Sequence, residues 1–267
     1  MKKLYVLFEY EFDYIKRYVL LLAMISFFLQ LFFISRGQGE AQDFVPYETM
    51  FIESGAMVVA VLTLILMCGI CVRSFNNNFN ESKSIYTLMA LPQKRSKLLF
   101  SKILAWLVGF ALIIANQVIT GIVGYKMFAP VFNQYIYRER MIEAIITEPM
   151  TNGLLLSFVR SDFYRILMPL SLEGFLSSLI ICLSIVFGMY YVLVLSKNNQ
   201  VNHLVGFTVV LIHLIGIINV LRYRIQMPTE FGVAKYQNLY HYNLFFIVII
   251  GFYIIRSVSL INKTTIT

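Results

Sequence analysis

Six stretches of this chain constrain its fold more than any other feature: Tyr18 to Ile34, Ala56 to Val72, Ile103 to Tyr125, Leu170 to Leu195, Val201 to Val220 and Asn243 to Leu260. Each is long and apolar enough to cross a hydrocarbon layer about 30 Å thick, which takes about 20 helical residues at about 1.5 Å apiece. Lipid offers no partner for an open amide or carbonyl, so each crossing segment must satisfy its own backbone, as a helix does. The runs are too long for ordinary strands, and the short alternating segments of a transmembrane barrel are lacking. Composition agrees, because 59% of the 267 residues are apolar and only 13% are charged, too few to clothe a water-facing domain of this size. The expected fold is all-α, a single polytopic transmembrane domain over residues 1–267 with six crossing helices.

Residues 2–17 precede the first run. On a helical wheel Leu4, Leu7, Phe8, Phe12 and Ile15 fall within an arc of about 140°, with Lys2, Glu9, Asp13, Lys16 and Arg17 outside it. Glu11 intrudes on the apolar arc. This pattern predicts an amphipathic helix lying in the membrane interface and feeding the first span. No small-residue cleavage pattern follows that span, so it is expected to stay as an anchor.

Charge sets the orientation. With the N-terminus inside, the inner segments hold thirteen Lys or Arg against four carboxylates, and the outer segments nine basic residues against ten acidic ones. Basic residues gather on the cytoplasmic side of membrane proteins, which places both termini in the cytoplasm, with the cell membrane as the expected location. The same asymmetry accounts for the net charge of +8. Nucleic acid is not implied, since the basic residues follow the inner face and form no stripe interleaved with stacking aromatics.

The connections are unequal. Residues 35–55 read as a short acidic outer link, and 196–200 as a tight inner one. The insertion at 129–169 is longer than a connector needs. Within it Tyr135 to Ile146 predicts an outer helix ending before Pro149, and Gly153 to Val159 an interfacial or re-entrant stretch, serving either as a lid or beside a substrate passage. The outer segment 221–242 mixes Arg222, Arg224, Glu230 and Lys235 with tyrosines, as at a headgroup level.

Inside the spans the chain carries little chemistry. Asn116 and Gln117 lie near the middle of the third span and either pair across helices or line a substrate path. His213 reads as a packed or hydrogen-bonded histidine before a proton carrier. His203, His213 and His241 are separated by the topology, so no metal site is expected. Cys68 and Cys71, in a Cys-Gly-Ile-Cys within an apolar run, and Cys182 read as small buried residues, because a redox pair needs a setting that lowers a thiol pKa. The sequence has no Gly-x-x-x-x-Gly-Lys-Ser/Thr phosphate loop, no His-Glu-x-x-His and no Gly-x-Ser-x-Gly. The chain is therefore not expected to be an enzyme by itself, and energy for uphill work would enter from elsewhere.

The segment from Arg73 to Lys102 is where it would enter. Asn76-Asn77-Asn78 favours a break after the second span, and Pro92 ends any helix begun near Asn80, since proline lacks an amide hydrogen and restricts its predecessor. Between them Ile85, Leu88 and Met89 share one face of a helix too short to stand alone in water, so that face needs something to pack against. The run Glu81 then Ser84-Ile85-Tyr86-Thr87-Leu88-Met89-Ala90-Leu91-Pro92-Gln93-Lys94-Arg95, with Lys97 and Lys102 following, resembles the first intracellular loop of ABC-2-type transporter permeases.

The resemblance implies a short cytoplasmic coupling helix over 80–91 that rests on a separate ATPase, with Glu81, Ile85, Leu88, Met89, Pro92, Arg95 and Lys102 as the coupling residues. It implies a soluble ABC ATPase dimer as partner, ATP and Mg bound by that partner and not by this chain, and a second permease half, either another copy or a related chain. The six spans and the amphipathic lead-in are similar to the permease architecture. One departure is that polysaccharide-exporting relatives place re-entrant helices between spans five and six, whereas the large outer insertion here follows span three. Aromatic-rich spans favour export of an amphipathic or lipophilic substrate, such as a membrane-active peptide, over a sugar. The competing readings are a membrane scaffold or immunity or regulatory subunit, a secondary transporter or channel, and a membrane-embedded enzyme.

Overall fold

The computed structural model describes residues 2–37, 46–78, 95–139, 153–197, 203–226, 229–230, 233–234 and 239–263. The first helix, α1 (Lys2–Gly37), is followed by a short outer helix α2 (Tyr47–Glu53), by α3 (Ala56–Asn76) and by the long α4 (Arg95–Glu139). Two short helices, α5 (Leu154–Arg160) and α6 (Asp162–Leu167), precede α7 (Leu172–Ser196) and α8 (His203–Gln226). A two-residue hairpin pairs β1 (Thr229–Glu230) with β2 (Val233–Ala234), and α9 (Leu239–Lys263) completes the chain of elements. Six of the helices, α1, α3, α4, α7, α8 and α9, are long and apolar enough to cross a membrane, so the chain is a helical membrane protein.

The lead-in and the first span form one uninterrupted helix of 36 residues. At about 1.5 Å per residue it is roughly 54 Å long, well beyond the hydrocarbon thickness, so the lead-in continues the span without a helix break. The reason is a single buried stripe along its whole length: Leu7, Glu11, Ile15, Val19, Leu22, Ser26, Gln30 and Ile34, at steps of four and three residues. The opposite face, including Leu21, Met24, Ile25 and Phe28, is exposed and apolar.

With six crossings, the N-terminus of α1 and the C-terminus of α9 lie at one end of the bundle, here the terminal end. Toward that end one aromatic core joins two groups of helices. Trp106 and Phe75, from α4 and α3, meet Tyr190 of α7 at centroid distances of 5.9 and 5.7 Å. Tyr191 stacks on Tyr253 of α9 at 5.2 Å. Cys71 is buried in this core, with Cys68 and Cys182 packed at its edge, all three free. The helix α8 lies at the periphery, with Leu204, Phe207, Ile215 and Ile218 exposed as a lipid-facing side chain would be.

The opposite end is capped by α2, α5 and α6. Tyr47 and Phe51 from α2, Phe158 from α5 and Phe163 and Tyr164 from α6 pack together beside the facing ends of α1 and α3 and against α4 at Gln117, Gly121 and Tyr125. The sequence does not announce α2, which occupies part of the stretch expected to be a plain acidic link; its seven residues are too few for a periodic signal. Its chain reverses into α3 through Gly55, whose φ of 83° is open to glycine and strained for other residues. In the long insertion α4 continues through Glu139, so the start of the expected outer helix is an extension of the third span; 140–152 lies outside the described residues. The stretch from Gly153 to Val159 is the helix α5, packed beside α2 and α6.

Two tyrosine hydroxyls fix this cap to α4: Tyr164 donates to the Gln117 carbonyl at 3.0 Å and Tyr47 to the Gly121 carbonyl at 3.2 Å. Burial pushes both phenols above their usual range, which keeps them neutral donors. The close approach depends on glycine, because a Cβ at Gly121 would collide with Tyr164 and lie 2.9 Å from Phe158. Gly121→Ala is expected to cost about 1–3 kcal/mol by forcing the cap outward. Gly69→Ala, with nothing within 4 Å of the added atom, is expected to be neutral or to stabilise by up to about 1 kcal/mol. Unfolding of the purified variants in mixed micelles checks both, and equal effects would refute the packing argument.

Candidate functional site

The strongest concentration of chemistry lies at the terminal end, where α1, α3 and α4 meet. Glu11 sits on the buried stripe of α1 and Lys102 on that of α4, with side chains only 7% and 4% exposed. Lys102 Nζ donates to Glu11 Oε2 at 2.7 Å. Asn78 Nδ2 donates to the other carboxylate oxygen, Oε1, at 2.9 Å. Lys102 Nζ also approaches the carbonyl and hydroxyl oxygens of Ser74, each at 3.4 Å. The ammonium thus has three oxygens around it, and each carboxylate oxygen has a donor.

Local structure explains the convergence. Ser74 lies in the last turns of α3, which loosens through a wider π turn at Asn77 and Asn78 and so swings the Asn78 amide toward α1. Lys102 lies two turns into α4, one turn before Trp106. Outside the cluster the surface charges pair locally, as Lys16 does with Asp13 at 2.6 Å. A buried pair of this kind gives little net stability once desolvation is counted, but removing one partner strands the other and costs about 3–5 kcal/mol.

A second, uncharged cluster lies further along the same helices. Gln30 Nε2 of α1 donates to Ser26 Oγ at 2.7 Å and to Gln117 Oε1 of α4 at 2.9 Å. Gln117 Nε2 returns a bond to Ser26 Oγ at 3.2 Å, and the Thr63 hydroxyl of α3 lies 2.9 Å from the same oxygen. Asn116 Nδ2 donates to the Ala23 carbonyl at 3.1 Å. The structure therefore places both third-span amides in interhelix contacts.

The other helices carry two further polar groups. His213 of α8 is buried, with Ser184 Oγ at 2.9 Å from one ring nitrogen and the Tyr253 hydroxyl at 3.2 Å from the other. It is a packed, hydrogen-bonded histidine, as expected. Arg224, expected at a headgroup surface, is instead 1% exposed. Its guanidinium donates to the Ile166 carbonyl at 2.6 Å and to Ser178 and Ser177 hydroxyls at 2.8 and 2.9 Å, while Arg165 donates to the Arg224 carbonyl at 2.9 Å. The exchange staples α6 to α8.

Of the coupling residues expected from the sequence, Glu81, Ile85, Leu88, Met89 and Pro92 lie outside the described residues, and Arg95 opens α4 with its side chain outside them too. Lys102 is described, and its ammonium points into the bundle, where Glu11 receives it. Glu11 itself was visible in the sequence only as a carboxylate on an apolar arc. Asn78 was visible only within the asparagine run that marks the end of the second span, and Ser26, Gln30 and Thr63 gave no signal of their own, although Ser26 and Gln30 repeat the spacing of that arc. Among the described residues no group of three or more His, Cys, Asp or Glu is placed to hold a metal ion.

Comparison with known proteins adds no assignment: no family model matches the sequence, no curated protein matches it, and no solved structure matches the fold. The amide cluster yields a direct test. Gln117→Leu is expected to cost about 1 kcal/mol in micelle unfolding, since membrane interhelix hydrogen bonds average somewhat less than that and Gln30 and Ser26 both lose a partner. Adding Gln30→Leu is expected to cost less than the sum of the two single changes, because both ends of the bond are then apolar. Strict additivity would show that the two amides do not interact.

Proposed function

We propose that this chain is the membrane permease subunit of an ATP-driven ABC transporter, seated in the cell membrane with both termini in the cytoplasm. The observation that carries this reading is the run from Glu81 to Arg95, whose pattern resembles the ATPase-contacting loop of ABC-2-type permeases and which joins α3 to α4 at the terminal end of six crossing helices. A soluble ATPase dimer binds and hydrolyses ATP with Mg and changes shape as it does so. The short apolar face of Ile85, Leu88 and Met89 gives that motion a lever on the second and third spans. A second permease half, the same or a related chain, completes the route. The cargo class this reading favours is amphipathic or lipophilic, a membrane-active peptide being one example, and the direction is export.

What supports the reading physically is the contrast between the two ends. The terminal end roots the connecting segment in charged and amide groups of three helices, while the far end is closed by an aromatic cap on glycine. A device driven from the terminal side needs a stiff connection there.

Purification in mild detergent with mass identification of bound subunits tests the assignment; an ATP-hydrolysing subunit is the expected companion. Replacing Ile85, Leu88 and Met89 together by Asp is expected to lower co-purification of that subunit by about tenfold, a loss of about 1.4 kcal/mol, with membrane insertion retained. Undiminished co-purification and ATP hydrolysis in the triple variant would remove the lever from this account.

A further inference from the structure

The segment 79–94 has two roots, and one carboxylate holds both. Asn78, the residue just before it, donates to Glu11 Oε1, and Lys102, shortly after it on α4, donates to Glu11 Oε2. The two roots also meet directly, Lys102 Nζ lying 3.4 Å from the Ser74 carbonyl and hydroxyl oxygens, and Glu11 adds α1 to that contact. A carboxylate is not needed at this point to form the helix or its buried face: Leu7, Ile15 and Val19 on the same stripe are apolar, and a leucine at position 11 would continue the pattern. Glu11 instead brings a charge into a site that is 6% exposed and makes the separation of three helices costly, since pulling either root away leaves a buried charge short of its partner.

We infer that Glu11 is a positioning residue for force transfer, coupling the first turns of α1 to both roots of the segment 79–94 so that the three helix ends move as one body when that segment is pushed. The inference rests on the permease reading and deepens it: the N-terminal helix becomes part of the lever and not a bystander lying beside it. An apolar contact at the same place would be non-directional. A two-ended hydrogen-bonded carboxylate is directional, and a displacement of one helical turn would break both of its contacts.

The test uses the native complex purified with its ATP-hydrolysing subunit, with Cys68, Cys71 and Cys182 replaced by alanine and pairs of spin labels at introduced cysteines. Tyr10→Cys on α1, Phe100→Cys on α4 and Ile255→Cys on α9 use side chains that are 51%, 40% and 70% exposed. Separations are measured with and without ATP plus vanadate. In the native background the 10-to-255 and 100-to-255 separations are expected to shift on nucleotide trapping, while the 10-to-100 separation stays fixed. In E11Q the 100-to-255 shift is expected to persist, the 10-to-255 shift to be lost, and the charge-exchanged chain E11K with K102E to regain it. A merely structural ion pair would leave the 10-to-255 shift at its native size in every variant that accumulates, and that result overturns the inference. Where E11Q does not accumulate, the native 10-to-100 separation decides: constancy supports the single body and a nucleotide-dependent change refutes it. Absence of any ATP-hydrolysing subunit from the native preparation is a separate failure, of the permease reading itself and of force transfer with it.

Discussion

A carboxylate and an ammonium shut between helices set the register of everything around them. Taking both charges out of water costs several kcal/mol per ion, and the attraction between them repays that only where the geometry is good and the remaining valences are filled. Glu11 and Lys102 meet both conditions, with Asn78 and Ser74 supplying the other contacts. The consequence reaches along the bundle. Glu11 to Lys102 and Ser26 to Gln117 both join residues 91 apart in sequence, so α1 and α4 run parallel and in step from one cluster to the next. Slipping one helix by a turn, about 5.4 Å, would set Glu11 against Leu99 or Trp106 and strand the charge in the aromatic core.

Between those fixed points the helices need other reasons to stay together, because in lipid an apolar side chain gains little by leaving acyl chains for another helix. Close packing and neutral hydrogen bonds supply them. The amide and hydroxyl cluster ties α1, α3 and α4 where backbone groups are already paired, and the aromatic cap approaches α4 where glycines remove the side chain that would hold it off. The two ends are therefore built differently. Charge and amide groups of α1, α3 and α4 determine position at the terminal end, whereas ring packing, phenol-to-carbonyl bonds and the buried exchange between Arg165 and Arg224 determine it at the other.

How much of this a single sequence can reveal depends on the range of the interaction. The six crossing helices were legible because hydrocarbon thickness dictates length, and each expected span lies inside an observed helix to within a couple of residues at its ends. The helix α2 was not, since seven residues among acidic neighbours carry no period. Arg224 read as a surface charge because its acceptors, the Ile166 carbonyl and two serine hydroxyls, come from segments more than forty residues away. Glu11 was conspicuous, yet its partner was not: a carboxylate on an apolar arc says that a counter-group exists, and only the packing of α1 on α4 says that it is Lys102. The segment carrying Glu81 to Pro92 lies outside the described residues, so its reading as a coupling helix still rests on residue pattern.

The placement of polar groups also bears on where energy can enter. Coupling to a proton or ion gradient requires a group inside the membrane whose bonding changes when the ion arrives, and such a group is held loosely enough to have two arrangements. His213 is clasped on both ring nitrogens by hydroxyls, Asn116 is bound to a backbone carbonyl, and Gln117 is bound through its side-chain oxygen, its side-chain nitrogen and its carbonyl. These contacts favour fixed struts over relays. Glu11 and Lys102 are the titratable pair with the most to lose from rearrangement, and they stand beside the segment that a soluble partner would reach first.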